Sequence, residues 1–279
     1  MNPLLRLAMS NFDFANEKVV NTAGYLALKA FYCDRGLQNS DLTFMTLSEH
    51  DLMQKTLWKR SPFLLYNPKT LGHVGREEWS WNVTEDLSKI AQTSLIRFTT
   101  GDLGETVSAT FRSWVNENFE YIRSANHPAV LRVHYTVNQS EPKRFKDLRH
   151  IVVDMRSLVQ RPDDQTWGLS EKGARLTNYG LIAEVRLSST SSSSHANAKS
   201  QDTVRVYTLD GQVIPIPHSF PATHINDPLG QPGNSYILYY GMCPNTSPIS
   251  DAVTDTPLMK TMATRDAIDK VIRSGYSAS

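Results

Sequence analysis

The chain has 279 residues, 40% hydrophobic and 20% charged, enough to bury a core in one large domain or two small ones. Lys plus Arg (29) nearly cancels Asp plus Glu (28), so the net charge of +1 gives no bulk pull toward nucleic acid or an anionic membrane. No apolar run approaches the ~20 residues of a membrane span, and with only Cys33 and Cys243 there is neither a disulfide framework nor a Cys-x-x-Cys zinc pair.

Taken in chain order, Met1 to Ser10 has a short apolar stretch broken by Arg6 and no small-residue cleavage pattern, so it does not read as a signal peptide. Val19 to Tyr32 carries Val19, Val20, Ala23, Leu26, Ala27, Ala30 and Phe31 at helical spacing and ends at Asp34-Arg35-Gly36. Thr46 and Glu49 have capping-box spacing, which predicts a second helix start near there. Thr93 to Thr100 fits a strand, and Gly104 to Val115 reads as a helix with Val107, Phe111, Trp114 and Val115 on one face.

From Pro128 the period changes to two. Val130 to Val137 and Ile151 to Met155 read as strands. Tyr179 to Leu187 alternates Leu181, Ala183, Val185 and Leu187, the pattern of a half-buried strand. Ser188 to Ser194 is a low-complexity loop. Thr203 to Leu209, a turn at Asp210-Gly211, and Gln212 to Ile216 follow as a hairpin. Ser235 to Tyr240 is the last strong strand. A Pro/Ser/Thr-rich linker then leads to a helix from Pro257 to Ile272, with Leu258, Met262, Ile268, Val271 and Ile272 as its apolar stripe.

No metal motif stands out: His50, His73, His127, His134, His150, His218 and His224 are scattered, with no helical i, i+4 pair. No Gly-rich phosphate loop is present. Trp79 and Trp81 lie among Glu77, Glu78, Glu85 and Asp86, which argues against stacking on nucleic acid. The expectation is no cofactor, no metal, no nucleic acid and no membrane.

The order of pieces after Pro128 resembles the catalytic domain of ubiquitin-specific proteases. Pro128-Ala129-Val130-Leu131 stands where that family opens its palm with Pro-x-Val-Leu, and Lys143 to Lys146 with His150 to Leu158 follow as the Lys-bearing connection and apolar strand. Tyr179 to Val185 matches a Tyr-x-Leu-x-x-Val strand. His195 follows it as the histidine, and Val206 to Gly211, holding Asp210, fits the acidic turn. Ser235-Tyr236-Ile237-Leu238-Tyr239-Tyr240 matches the closing Ala-Tyr-x-Leu-x-Tyr strand. The resemblance spans residues 100 to 242, with Asn21-Thr22-Ala23-Gly24-Tyr25 as the counterpart of the family's Gly-Asn-Thr-Cys-Tyr box. His195 is flanked by Ser194 and Ala196 rather than Gly and Tyr, and the family's zinc fingers are missing.

The resemblance implies an α+β fold of papain-like cysteine protease type without zinc fingers, its helical N-terminal lobe packed on an antiparallel β-sheet. Residues 1–127 form a mainly helical thumb-like lobe, 128–243 a β-rich palm-like lobe, and 244–279 a linker and C-terminal helix. A cysteine protease needs a thiolate, a base in reach and a group orienting that base. Ala23 falls at the nucleophile position and has no thiol. Cys33 is the rescue candidate, but it lies roughly 15 Å along a helix from Ala23, near the end whose dipole raises a thiol pKa. Cys33 also reads as a small buried hydrophobe, and Cys243, past the closing strand, as structural. His195 is either the retained base, oriented by Asp210, or a solvated loop histidine, and turn chemistry alone explains Asp210-Gly211. A serine drafted from Ser188 to Ser194 is a poor nucleophile, because a floppy loop cannot preorganise it.

The implied function is an intracellular, catalytically inactive module that binds or scaffolds a protein, ubiquitin or a ubiquitin-like protein being the implied partner. The alternatives are an active deubiquitinating hydrolase using Cys33, His195 and Asp210, and a structural interaction protein unrelated to ubiquitin.

Overall fold

The computed structural model describes residues 22–29, 43–74, 80–83, 86–116, 119–161, 167–187, 202–208, 211–214 and 228–243. Residues 22–29 form helix α1, inside the predicted Val19 to Tyr32 segment. Helix α2 (Phe44–Glu49) starts two residues before Thr46 because Thr43 caps it, its hydroxyl accepting the Thr46 N–H at 3.1 Å. One-turn helix α3 (Asp51–Met53), a π-helical turn at Gln54–Trp58 and a 3-10 turn at Ser61–Phe63 extend this irregular helical segment. Leu47, Leu52, Leu57 and Phe63 turn its apolar side to the core.

The N-terminal part, expected to be mainly helical, also builds a β-sheet among its described residues. Strands β1 (Lys69–Val74) and β2 (Ser80–Val83) come next, then helix α4 (Leu87–Thr93), β3 (Leu95–Phe98) and helix α5 (Leu103–Ser108). Strands β4 (Arg112–Asn116) and β5 (Phe119–Arg123) complete a four-stranded antiparallel sheet of order β2-β1-β5-β4. The helix expected over Gly104 to Val115 therefore stops at Ser108. Ser108 and Thr110 turn their hydroxyls back on the carbonyls of Gly104 (2.6 Å) and Val107 (2.6 Å), a local competition that loosens a helix end. The Trp and Val that follow are good strand formers.

The rest is β6 (Val130–Thr136), helix α6 (Phe145–Leu148), β7 (His150–Asp154), the β8 (Leu158–Gln160) and β9 (Trp167–Leu169) ribbon, β10 (Leu176–Leu187), β11 (Thr203–Val206) and β12 (Ser235–Cys243). The main sheet has six strands in the order β11-β10-β12-β6-β3, with β7 also on β10. It is mixed, not purely antiparallel as expected, because β3 runs parallel to β6. Residues 99–129 supply the long crossover that parallel pairing needs. Residues 257–272, expected as a C-terminal helix, lie outside the described residues, as do 188–201.

At β6 and β12 both faces of this sheet are covered. On one face Leu131, Val133 and Tyr135 of β6 oppose Tyr240, Leu238 and Tyr236 of β12, all at most 2% exposed. Burial of that kind contributes roughly 1.5–3 kcal/mol per large apolar side chain. On the other face Arg132 and Tyr239 lie under Trp58 and Phe44 of the helical segment.

Strand β10 departs from simple alternation. Its register slips between Leu181 and Ala183. On one edge it pairs first with β7 through Leu176 to Gly180 and then with β11 through Ala183 to Arg186. The bulge falls where the partner changes. An extra residue flips the side chains beyond it, so Leu181 and Val185 do not share a face, and Glu184 points into the core.

Candidate functional site

Ala23 lies within α1 and is partly exposed. Cys33, His195 and Asp210 lie outside the described residues, so no two of these positions are brought together among the described ones. What is described is the frame that flanks them in the chain. Leu187 at the end of β10 and Thr203 at the start of β11 lie at one end of the sheet, joined by the Arg186–Thr203 pairing. The Asp202 carboxylate accepts the Phe44 N–H at 2.5 Å, which ties that end to the start of α2. After β11, the Thr208 N–H donates to the Gln212 carbonyl and the Gly211 N–H to the Thr208 carbonyl, both at 2.8 Å. Gly211 has φ 87°, so the expected turn at Asp210-Gly211 is closed by its neighbours. Of the strand expected over Gln212 to Ile216, residues 212–214 are described, and Val213 bridges to Tyr207.

A buried ion pair and a buried arginine stiffen this frame, and neither was anticipated from the sequence. The Glu184 carboxylate and the Arg205 guanidinium meet at 3.2 Å across the β10–β11 pair, with side chains 5% and 8% exposed. Tyr240, fully enclosed nearby, has its hydroxyl held well above the usual phenol range by burial and then by the Glu184 charge. Across the sheet, Arg132 is 2% exposed. Its guanidinium lies 4.2 Å from the Trp58 ring centre, and Nη2 donates to the Ala91 carbonyl at 2.5 Å. Burial pulls its pKa down to about 10, against the opposing pull of Tyr239. The Trp58 indole N–H is anchored on the Ser48 carbonyl at 2.8 Å. This stack clamps the helical segment to β6 and β12.

Arg132→Lys is expected to destabilise the protein by about 2 kcal/mol, because a lysine keeps the charge but loses the planar stack and the directed donor. Urea unfolding midpoints of the two proteins measure it; an unchanged midpoint would show that the stack contributes nothing.

Cys243 ends β12 half-buried, and burial raises its thiol pKa despite the backbone hydrogen bond at Gly180. That is the opposite of what a nucleophile needs, in keeping with the structural role expected for it. Among the described residues no cluster of His, Cys, Asp and Glu could hold a metal ion, and no helix is long and apolar enough to cross a membrane.

No protein-family model matches the chain, and no curated protein matches it. Among solved structures, the apo Pan2 pseudoubiquitin hydrolase–RNA exonuclease module of Saccharomyces cerevisiae, in complex with AAGGA RNA, is similar at a TM-score of 0.31 and 9% identity. The similarity covers 67% of this chain and 33% of that chain. A likeness of that size leaves both family and activity open. The mixed α/β architecture with a multistranded sheet stands on the topology alone.

Proposed function

We propose that the chain is a catalytically silent relative of the ubiquitin-specific proteases that binds a protein, ubiquitin or a ubiquitin-like one, in place of cleaving it. The observation that carries the reading is Ala23. It sits in α1, in an Asn-Thr-Ala-Gly-Tyr box, at the position where a cysteine protease of this kind carries its nucleophile. A methyl group there provides no thiolate, while the surrounding lobes still provide a surface. In this reading residues 1–127 and 128–243 act as thumb-like and palm-like lobes, His195 and Asp210 are retained positions of a lost triad, and 244–279 is an appended linker and helix. A partner's C-terminal tail would lie extended between the lobes. The setting is intracellular.

Two measurements on the full chain test this. A ubiquitin probe with an electrophilic C-terminus is expected to leave the chain unlabelled. Isotope-labelled ubiquitin is expected to show amide shifts on titration with it. Labelling that disappears in Cys33→Ser would restore the enzyme reading, and ubiquitin amides that stay put at millimolar concentration would remove the ubiquitin-binding one.

A further inference from the structure

At the end of the main sheet away from Thr203, an imidazole and a serine hydroxyl meet on a rigid support. His127 Nε2 lies 3.1 Å from Ser157 Oγ. The seven-residue strand β6, Val130–Thr136, separates this place from the start of β11 by roughly 20 Å, so it is not part of the frame around the His195 and Asp210 positions.

Three features distinguish the pair from a chance surface contact. The first is strain: His127 has φ 51°, the one left-handed non-glycine residue among those described. It also precedes Pro128, where helical backbone conformations are disfavoured. Such a conformation costs of order 1–3 kcal/mol and persists only where its surroundings impose it.

The second is the set of contacts that impose it. Before His127, the Asn126 side-chain amide donates to the carbonyls of Ser61 (2.9 Å) and Leu64 (3.0 Å), and the Asn126 N–H donates to Leu65 O at 3.0 Å. After it, the buried Tyr179 hydroxyl donates to the Pro128 carbonyl at 2.7 Å. Ser157 is held as firmly. Its N–H donates to Ser170 Oγ at 3.2 Å, and its carbonyl accepts the Ser170 N–H at 2.8 Å. The Arg156 guanidinium in turn holds the Ser170 carbonyl through Nε and Nη2 at 3.0 and 2.9 Å.

The third is electrostatic. Partial burial, and then the positive charge of Arg175, lower the pKa of His127, which favours the neutral imidazole. The competing acceptor for the hydroxyl is the Met155 carbonyl, at a longer 3.3 Å. His127 is exposed and Ser157 half-buried, so an outside carbonyl can reach Oγ.

We propose that Ser157 and His127 form a nucleophile–base dyad acting on activated acyl esters. Ser157 Oγ adds to the ester carbonyl carbon while its proton passes to His127 Nε2, and the carbonyl π electrons move onto the carbonyl oxygen. Collapse of the adduct breaks the carbon–oxygen bond to the alcohol, which leaves with the proton from Nε2. Water, deprotonated by the same imidazole, then hydrolyses the acyl-serine and returns Ser157. Rigid positioning by the Asn126, Tyr179 and Ser170 hydrogen bonds takes the place of a third residue orienting the base.

The test is a fluorophosphonate probe on the full chain. Attack by Oγ forms an oxygen–phosphorus bond and expels fluoride, with the hydroxyl proton again going to the imidazole. One adduct is expected, mapped to Ser157 by peptide mass spectrometry and missing in Ser157→Ala. Its rate is expected to fall at least ~100-fold in His127→Asn, the loss typical of removing a general base, since asparagine tolerates the left-handed backbone. His127→Gly, for which that backbone is unstrained, is expected to lose the same rate and guards against a folding defect in the first variant. No adduct, an adduct on another residue, or an undiminished rate in both His127 variants would overturn the proposal.

Discussion

Replacing Arg205 alone by methionine is expected to destabilise the protein by about 3–5 kcal/mol, and replacing Glu184 by leucine at the same time is expected to recover most of that loss. The register slip in β10 turns Glu184 into the core opposite Arg205, and the two residues are 4% and 7% exposed. Remove the cation and a carboxylate stays behind in a space shared with the buried Tyr240 hydroxyl, a group that already resists ionisation through its burial and then through that charge. Remove both charges and the space becomes apolar, at little net cost, since desolvating an ion pair consumes much of its attraction. Guanidinium chloride unfolding of the wild type, the two single variants and the double variant closes the cycle. A single Arg205→Met variant within 1 kcal/mol of wild type would mean that the pair behaves as a surface ion pair and that the bulge does not bury Glu184.

The second large effect is expected at Gly230. Its φ of 88° lies in the left-handed region, and a Cβ built there would run into the backbone carbonyl of Lys143. That carbonyl cannot give way easily, because it accepts a hydrogen bond from the Tyr135 hydroxyl at 3.1 Å, while the Lys143 N–H donates to the Tyr135 hydroxyl oxygen at 2.7 Å. Next along the chain, Phe145 stacks on Tyr207 with ring centres 5.0 Å apart. Gly230→Ala therefore combines about 1–2 kcal/mol of backbone strain with about 1–3 kcal/mol of overpacking, and a loss of about 2–5 kcal/mol is expected. Thermal unfolding measures the sum. Gly233→Ala is the control: it has nearly the same φ, 83°, with nothing within 4 Å of the added carbon, so it carries the strain alone. Equal losses in the two variants would show that the close approach to Lys143 is not a constraint.

Some of this architecture is written in local residue choice. The β-branched and aromatic runs of β6 and β12 announce themselves as strands, and Gly211 marks its turn. Other parts depend on tertiary context. Arg132 looks like an outward residue in an alternating strand, and only the Trp58 segment lying across that face makes it buried. Glu184 looks outward for the same reason, until the slip at Leu181 moves it inward. The end of α5 at Ser108 follows from hydroxyl groups folding back on carbonyls, an outcome that apolar periodicity does not record. At the candidate sites, a five-residue motif points to Ala23. Nothing in the sequence signals that His127 adopts a left-handed backbone beside Ser157, because that depends on Asn126 and Tyr179 reaching it from distant segments.

The place of β12 in the sheet has a bearing on synthesis. It lies between β10 and β6, yet it is made after both. While a ribosome is still translating the segment before residue 235, the two strands that will flank β12 have no native neighbour to join them. Tyr135, Val133 and Leu181 then face solvent together. The nascent protein must stay unassembled or shielded by a chaperone through this interval, and the sheet closes in a single late step when its middle strand emerges.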